Sequence, residues 1–356
     1  MYKSLKDIYK EQIKEISELS EIENLPDIPE DTTRDKASDS VGEVEDDPHF
    51  LHLIFDFQFL YYKYKFALDS GRMRRLSTPV EVGGVVVEKD VSQIYYALRE
   101  IEGIRKKLEK NGKHVVVSVC FDSKSKRKDG DSEEAKEYKA NRAKKLNDED
   151  FSNIELVRNI LIDAGYNVYK IDGIEADDLV HSLMVYSDVF DYTIIVTCDL
   201  DIAVNVGDRV GLYRFKSSSG YGAVDMKTFS AVVNNELKCD VPFNAIMLYK
   251  ATVGDKSDNI AGIKKFGPAA FTKLVNHIND TMDVDWAEMV DYEKVKELLQ
   301  KCKGYLSDDQ LSQALESLEL VKPIELSEDE VEPPVKLSSH KLREHAYMKY
   351  NMPSLV

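Results

Sequence analysis

No apolar run in this sequence approaches the roughly 20 residues that a membrane-spanning helix needs, so no membrane insertion is expected. The opening residues, Met1 to Asp7, lack an apolar segment, and a secretory leader is not expected either. Cysteine is scarce. Cys120, Cys198, Cys239 and Cys302 lie far apart and form no CxxC, so they read as reduced packing residues of a cytosolic protein. Positive charge is in deficit. The formal net charge of −17 repels phosphate and argues against a nucleic-acid coat protein. A nucleic-acid enzyme stays open, because cations can offset an acidic site while local basic patches contact phosphate. No internal repeat is present. The 356 residues, 43% of them hydrophobic, do supply enough apolar material for one large core or two smaller ones.

Carboxylates are what the chain has in excess, and nine of them stand where five segments turn. They are Asp56; Asp122; Glu175, Asp177 and Asp178; Asp199 and Asp201; and Asp255 and Asp258. Three of the segments directly follow short apolar runs that read as buried strands of a parallel sheet. In an open α/β sheet the ligand crevice lies beyond the carboxyl ends of the strands, so acids placed there converge. Like charges gathered in this way are unstable unless cations hold them. Oxygen ligands with no nearby His or Cys pair suit Mg²⁺, with Mn²⁺ as a substitute. Glu175 and Asp178, three apart at a helix start, share a face. Asp177 is expected to point roughly 100° away unless the first turn is distorted. Taken singly, each acid has a plainer reading as a helix-start charge or a turn former.

The pattern along the chain predicts five parts. Residues 1–24 place Leu5, Ile8, Tyr9, Ile13, Ile16 and Leu19 at helical spacing, an amphipathic helix suited to docking on a replication protein or back onto the core. Residues 25–48 are acidic and poor in large apolar groups, which predicts a flexible linker. An α/β core is expected over 49–225. It has strands at 51–56, 114–121, 166–171, 192–198 and 209–215, and helices at 91–110, 153–164 and 175–186. Within it, 123–147 is dense in Lys, Arg and Glu. Residues 226–325 read as helical. Residues 326–356 form an acidic, partly extended tail containing Pro333-Pro334. In the basic stretch, Lys139 and Arg142 are three apart and form one face of a helix, with Tyr138 beside them.

Six stretches carry a family resemblance: Ile54-Phe55-Asp56, Cys120-Phe121-Asp122, Glu137 to Arg142, Glu175 to Asp178, Thr197 to Asp201, and Gly254 to Ile260. In this order and spacing they resemble the 5′ nuclease family. That family comprises flap endonucleases, the 5′-nuclease domains of bacterial DNA polymerases, bacteriophage 5′–3′ exonucleases and RNase H-type primer-removal enzymes, and the last two are the most similar. The resemblance covers about residues 50–290. Two departures stand out. Phe57-Gln58-Phe59 follow the first Asp where small or polar residues are usual, and Lys264-Lys265-Phe266 lie between Gly262 and Gly267.

The resemblance implies an α/β fold: a PIN-like core with a mainly parallel sheet flanked by helices, a charged helical arch at 123–147, and a helical part with a helix-three-turn-helix. It implies a divalent-metal-dependent hydrolysis of phosphodiesters at 5′ flaps, nicks, 5′ ends or RNA primers, with RNA–DNA hybrids also admitted. Asp122, Glu175, Asp177, Asp178 and Asp199 would serve a first Mg²⁺. Asp201, Asp255 and Asp258 would serve a second, and Asp56 would lie between them as ligand or base. Two such ions can activate a water and stabilise the leaving 3′ oxygen. Lys139 and Arg142 would contact the scissile phosphate and Tyr138 would stack on a base. Lys63 is a further phosphate candidate. Gly262, Lys264, Lys265, Gly267 and Lys273 would hold duplex backbone, with K⁺ bound at that turn. The expected protein is a monomer of the cytoplasm, or of the host cytoplasm if it comes from a phage. The rival expectation is a non-catalytic PIN-fold protein that binds nucleic acid or serves assembly. An RNA-cleaving toxin-like PIN protein is disfavoured by length and by the 254–267 segment.

Overall fold

Strand β1, Phe50–Asp56, is buried along six successive residues, as a strand covered on both faces must be. In the computed structural model, which describes residues 7, 8, 10–12, 49–82, 85–110, 113–123, 146–216, 220–324, 326–327 and 329–356, β1 is central in a six-stranded sheet. β4 (His114–Cys120) and β5 (Asn167–Tyr169) lie to one side of it. β6 (Tyr192–Thr197), β7 (Val210–Lys216) and β8 (Gly220–Val224) lie to the other. All neighbours are parallel except β7 and β8, so the edge alone is antiparallel. A separate hairpin, β2 (Ser77–Val82) with β3 (Val85–Asp90), stands off this sheet.

Alternation along the strands sends side chains into two cores. Leu51, Leu53 and Phe55 pack with α1 (Phe57–Asp69), α2 (Ser92–Glu109) and α3 (Asp148–Asp163). Ile54, Val116 and Ile195 pack with α4 (Ala176–Ser182) and with the helices that follow the sheet. These are α5 (Phe229–Leu237), α6 (Ile246–Val253), α7 (Pro268–Thr281), α8 (Tyr292–Lys301) and α9 (Asp308–Val321). α6 is buried from Ile246 to Thr252 and packs along α9. The helical part thus shares its core with the sheet. On β1, His52 bonds through Nε2 to Ser118 Oγ at 2.7 Å and stacks on Phe190. Burial pushes its pKa down to about 3, so the ring is neutral.

Residues 326–356 return across the α/β core. Val331 is buried and its carbonyl accepts the Tyr186 hydroxyl at 3.0 Å. Asn167 bonds both ways with the Lys336 backbone, at 2.9 Å each. Helix α10 (His340–Lys349) packs on α3 and drives Tyr347 into the core, where its hydroxyl donates to Glu102 at 2.6 Å. The same Glu102 takes the Tyr166 hydroxyl and the Arg105 guanidinium, so this buried carboxylate is fully paired. The Gln12 side-chain amide donates to Val335 O at 2.6 Å and accepts from Leu337 N at 2.7 Å. Apart from residues 7, 8 and 10–12, the 1–24 segment lies outside the described residues, as does the 25–48 stretch. No described helix is long and apolar enough to cross a membrane.

Several boundaries differ from the sequence expectations. α3 begins at Asp148 rather than 153, because Asn147 and Asp150 form a reciprocal capping box. The expected helix at 175–186 is a short α-helix followed by a 3₁₀ run, Leu183–Val189. β5 keeps only three residues of the expected strand. The hairpin and β8 went unforeseen.

Candidate active site

The topology delivers the acids to one edge. Asp56 ends β1, Asp122 follows β4 and Asp199 follows β6, and these three strands are adjacent. From β1 the chain moves out to β4 and β5, then crosses to β6 on the other side of β1. A crevice opens at such a switch point, outside the carboxyl ends of the strands.

Glu175 is the N-cap of α4 and has extended backbone, φ −82° and ψ 159°. Asp177 turns its carboxylate onto the Asp178 N–H, which it accepts at 2.9 Å. The oxygens of Glu175, Asp177 and Asp178 consequently lie within 4.8 Å of one another. This corrects the expectation that Asp177 points away, since a cap residue outside the helical spiral does not obey helical spacing. Asp178 is buried, and it accepts the Ile324 N–H at 2.8 Å, which ties the site to the segment after α9.

A second triad forms from Asp201, Asp255 and Asp258, again within 4.8 Å. Asp201 opens the 3₁₀ turn Asp201–Asn205. Asp255 and Asp258 sit in the loop after α6, which is closed by paired backbone bonds between Asp255 and Ile260, with Asn259 at φ +60°. Lys250, in the last turn of α6, reaches Asp201 and Asp255 together. A bonded chain joins Asp56 to the second triad. Thr197 Oγ1 donates to Asp56 Oδ2 at 3.1 Å and accepts Asp199 N–H at 3.0 Å, and Asp199 Oδ1 accepts Asp201 N–H at 2.9 Å.

Crowding of charge shows in the acidities. Burial, then the charges of Asp122 and Asp199, push Asp56 up to about 7. Burial and then Asp199 push Asp201 up to about 7, although Lys250 pulls the other way. Burial works to raise Asp255 too, but Lys250 and two bonds from Ser257 outweigh it and hold the carboxyl at about 2. Although Cys198 is exposed, desolvation among the crowded side chains and then Asp56 and Asp199 push its thiol up to about 12, so little of it is thiolate at neutral pH. Six carboxylates in two triads, with no His or Cys among them, form the donor set of hard divalent cations.

Asp56, Asp122, Glu175, Asp177 and Asp199 line a cleft of about 1060 Å³, whose wall carries Lys65, Arg72 and Lys216. Phe66 stands 62% exposed at its rim, with the Arg72 guanidinium 5.4 Å from the ring. Lys63 also reaches the cleft wall, but its ammonium is held by Glu100 at 2.7 Å and lies 4.2 Å over the Phe215 ring. In the α6–α7 turn, Gly262 (φ +64°) presses on the Gly254 backbone, and a Cβ there would sit 2.4 Å from Gly254 N. Lys264, Lys265 and Lys273 are exposed around this turn. Gly267 precedes Pro268, the first residue of α7. Tyr138, Lys139 and Arg142 lie outside the described residues, with the rest of 124–145.

Sequence reasoning passed over Lys250, Arg214 and Thr197. A lone lysine in the apolar helix 246–253 was a readable signal. Arg214 was not, because its role depends on fold: it donates to the Cys198 carbonyl at 3.0 Å and clasps Glu236, bracing the turn that carries Asp199.

A family model described as the 5′-3′ exonuclease N-terminal resolvase-like domain matches residues 52–234, just over half of the chain. The chain belongs to the 5′-3′ exonuclease family. Four of the five acidic segments of this exonuclease-family chain fall inside the match, and the Asp255–Asp258 loop lies beyond it. DNA polymerase I of Caldicellulosiruptor bescii is 33% identical over 174 residues, 47% of this chain but only 19% of the polymerase. A 5′-3′ exonuclease of Buchnera aphidicola subsp. Schizaphis graminum is 26% identical over 249 residues, spanning 68% of this chain and 82% of that protein. The T5 D15 protein co-crystallised with metal ions is 15% identical, with a TM-score of 0.47, over 76% of this chain and 100% of that one.

Proposed function

We propose that this protein is a divalent-metal-dependent 5′ nuclease that hydrolyses phosphodiesters at 5′ flaps, 5′ ends or RNA primers. The observation that carries the reading is a pair of carboxylate triads near the carboxyl edge of a parallel sheet: Glu175 and Asp177 open on the large cleft with Asp56, Asp122 and Asp199, and Asp177 and Asp178 share a smaller neighbouring pocket with Asp201 and Asp258. Mg²⁺ is the proposed ion. The first site takes Glu175, Asp177 and Asp178, with Asp56, Asp122 and Asp199 close by, and the second takes Asp201, Asp255 and Asp258. When bound, such ions supply a water of lowered pKa and charge stabilisation for the leaving oxygen. The protein's own groups orient the rest. Thr197 and Arg214 fix the turn around Asp199, and Asp122 fixes the start of α4.

Substrate contacts follow the same reading. Arg72 faces the cleft and offers charge to a phosphodiester backbone, as do Lys65 and Lys216 in exchange for Asp150 and Glu236, and Phe66 offers a stacking surface. Lys264, Lys265 and Lys273, with Gly262 and Gly267, would position duplex phosphates, and a K⁺ ion would belong to that turn. Tyr138, Lys139 and Arg142 would meet the scissile phosphate. DNA carrying a 5′ flap, nick or end is the proposed substrate, acted on by a monomer in the cytoplasm.

The test is a labelled 5′-flap duplex incubated with Mg²⁺ or EDTA, with product mapping. Metal-dependent cleavage near the flap junction is expected. Asp199→Asn should lower it well beyond the roughly 10–100-fold lost when a group supporting a metal ligand is removed. Tight duplex binding with no cleavage under any divalent ion would favour a binding protein instead.

A further inference from the structure

Lys250 projects from a helix turn buried on all sides, and is itself only 8% exposed. Its ammonium bonds to Asp201 Oδ2 and lies 2.5 Å from Asp255 Oδ2. Those are two of the three carboxylates whose oxygens converge in the second triad. The ammonium therefore occupies oxygen atoms that a cation bound there would also need. It neutralises one of the three negative charges and cannot diffuse away, so it competes at a high effective concentration whatever the dilution.

We infer that Lys250 is a built-in competitor of the second metal ion, which must displace its ammonium from Asp201 and Asp255 to bind. This rests on the proposal that the two triads hold divalent ions. The consequence is inequality between the sites. The first triad loads at lower metal concentration, and the second loads only when Lys250 has been pushed off its carboxylates. Lys250 acts on the ion through the ligands, so it is a positioning residue rather than a catalytic one. Removing its charge returns the triad to three uncompensated carboxylates, which attract a divalent ion more strongly and repel one another more strongly when it is absent.

The experiment is a Mn²⁺ titration of the metal-free full chain, read by calorimetry and by electron paramagnetic resonance of the free ion. The wild-type protein should bind two ions with separated affinities. Lys250→Gln should tighten the weaker site by on the order of tenfold or more and leave the stronger one unchanged, and Lys250→Arg should restore the separation. Metal-free Lys250→Gln should also melt lower than wild type and gain more from Mn²⁺. A folded Lys250→Gln protein whose weaker site is unchanged, or weakened, overturns the inference while leaving the two-ion reading intact. If wild type binds no second ion, the two-ion reading fails and takes this inference with it. One measurement needs no substitution: the protected Lys250 ammonium resonance of the wild-type protein should change with the second equivalent of Mg²⁺ and not with the first. An ammonium signal indifferent to both equivalents overturns the displacement.

Discussion

Asp122 Oδ1 accepts the N–H of Ala176 at 2.8 Å, so a residue just past β4 caps the helix on which Asp177 and Asp178 ride. One carboxylate does two things. It satisfies an orphan donor at the start of α4, and it stands beside Asp56 at the head of the cleft. The two roles separate by substitution. Asp122→Asn keeps an acceptor and loses the charge, so it should melt within about 1 °C of wild type yet cleave at least tenfold more slowly. Asp122→Ala loses both and should also give up about 1 kcal/mol of stability, the usual worth of a cap. Equal melting temperatures for the two variants would show that the Ala176 bond contributes nothing.

The acidities of Asp56 and Asp201 make a prediction about pH. Both carboxyls sit at about 7 in the folded protein, above the ordinary Asp value of about 3.9. Between those values the native state holds more protons than the unfolded one, so these two groups lower metal-free stability as pH rises from about 4 to 7. Buried His52 acts oppositely below about 6.5, because it must stay neutral to remain folded. A divalent ion competes with the carboxyl protons, so the gain in melting temperature from Mg²⁺ should grow from pH 5.5 to about 7 and then level. Asp56→Asn should flatten part of that rise. A metal-induced gain that is the same at pH 5.5 and 8 contradicts the assignment.

The α6–α7 turn yields a contrast between two glycines. At Gly262 a Cβ would meet Gly254 N at 2.4 Å and Val253 C at 2.6 Å, on backbone that already has φ +64°. At Gly267 the backbone is extended and a Cβ meets nothing within 4 Å. Gly262→Ala should therefore cost about 2–4 kcal/mol and displace the loop that carries Asp255 and Asp258. Gly267→Ala should be nearly neutral in denaturant melts. Similar losses at both positions would mean that the close approach of the two backbone strands is not what holds the turn.

Chemistry and affinity should part between the two basic regions. Lys139→Ala, if the residue meets charge that builds up in the transition state, should lower the single-turnover rate on the order of a hundredfold with little change in binding. Lys264→Ala with Lys265→Ala should weaken duplex binding and reduce its salt dependence, leaving the chemical step alone. Single-turnover cleavage measured beside equilibrium binding decides it, and a Lys139→Ala protein altered only in affinity defeats the first half.

Much of this site was legible because its signals are local. An apolar run ending in Asp at 51–56 and 114–122 needs no fold to be read, and strand order then brings the two ends side by side. What escaped depended on contacts distant in sequence. Arg214 matters because β7 lies beside β6, and Lys250 because α6 is placed against the 199–201 turn. Asp177 was misjudged because helical geometry was applied to a residue pair that straddles a cap. The β2–β3 hairpin and the edge strand β8 carry Pro79 and four glycines between them, Gly83, Gly84, Gly220 and Gly222, and so lacked a clean strand signature.

The returning segment has a consequence for biosynthesis. Ala346, Tyr347, Met352 and Leu355 belong to the same buried cluster as Leu53, Val117 and Phe121 and pack on α2 and α3, and the buried Glu102 of α2 finds one of its partners in Tyr347. A ribosome makes α2 and α3 long before it makes the segment that packs on them, at roughly 5–20 residues per second. For that interval the apolar face and the Glu102 carboxylate wait without their final cover. Helix α10 therefore completes, late in synthesis, a half of the core whose first strand is among the earliest parts made.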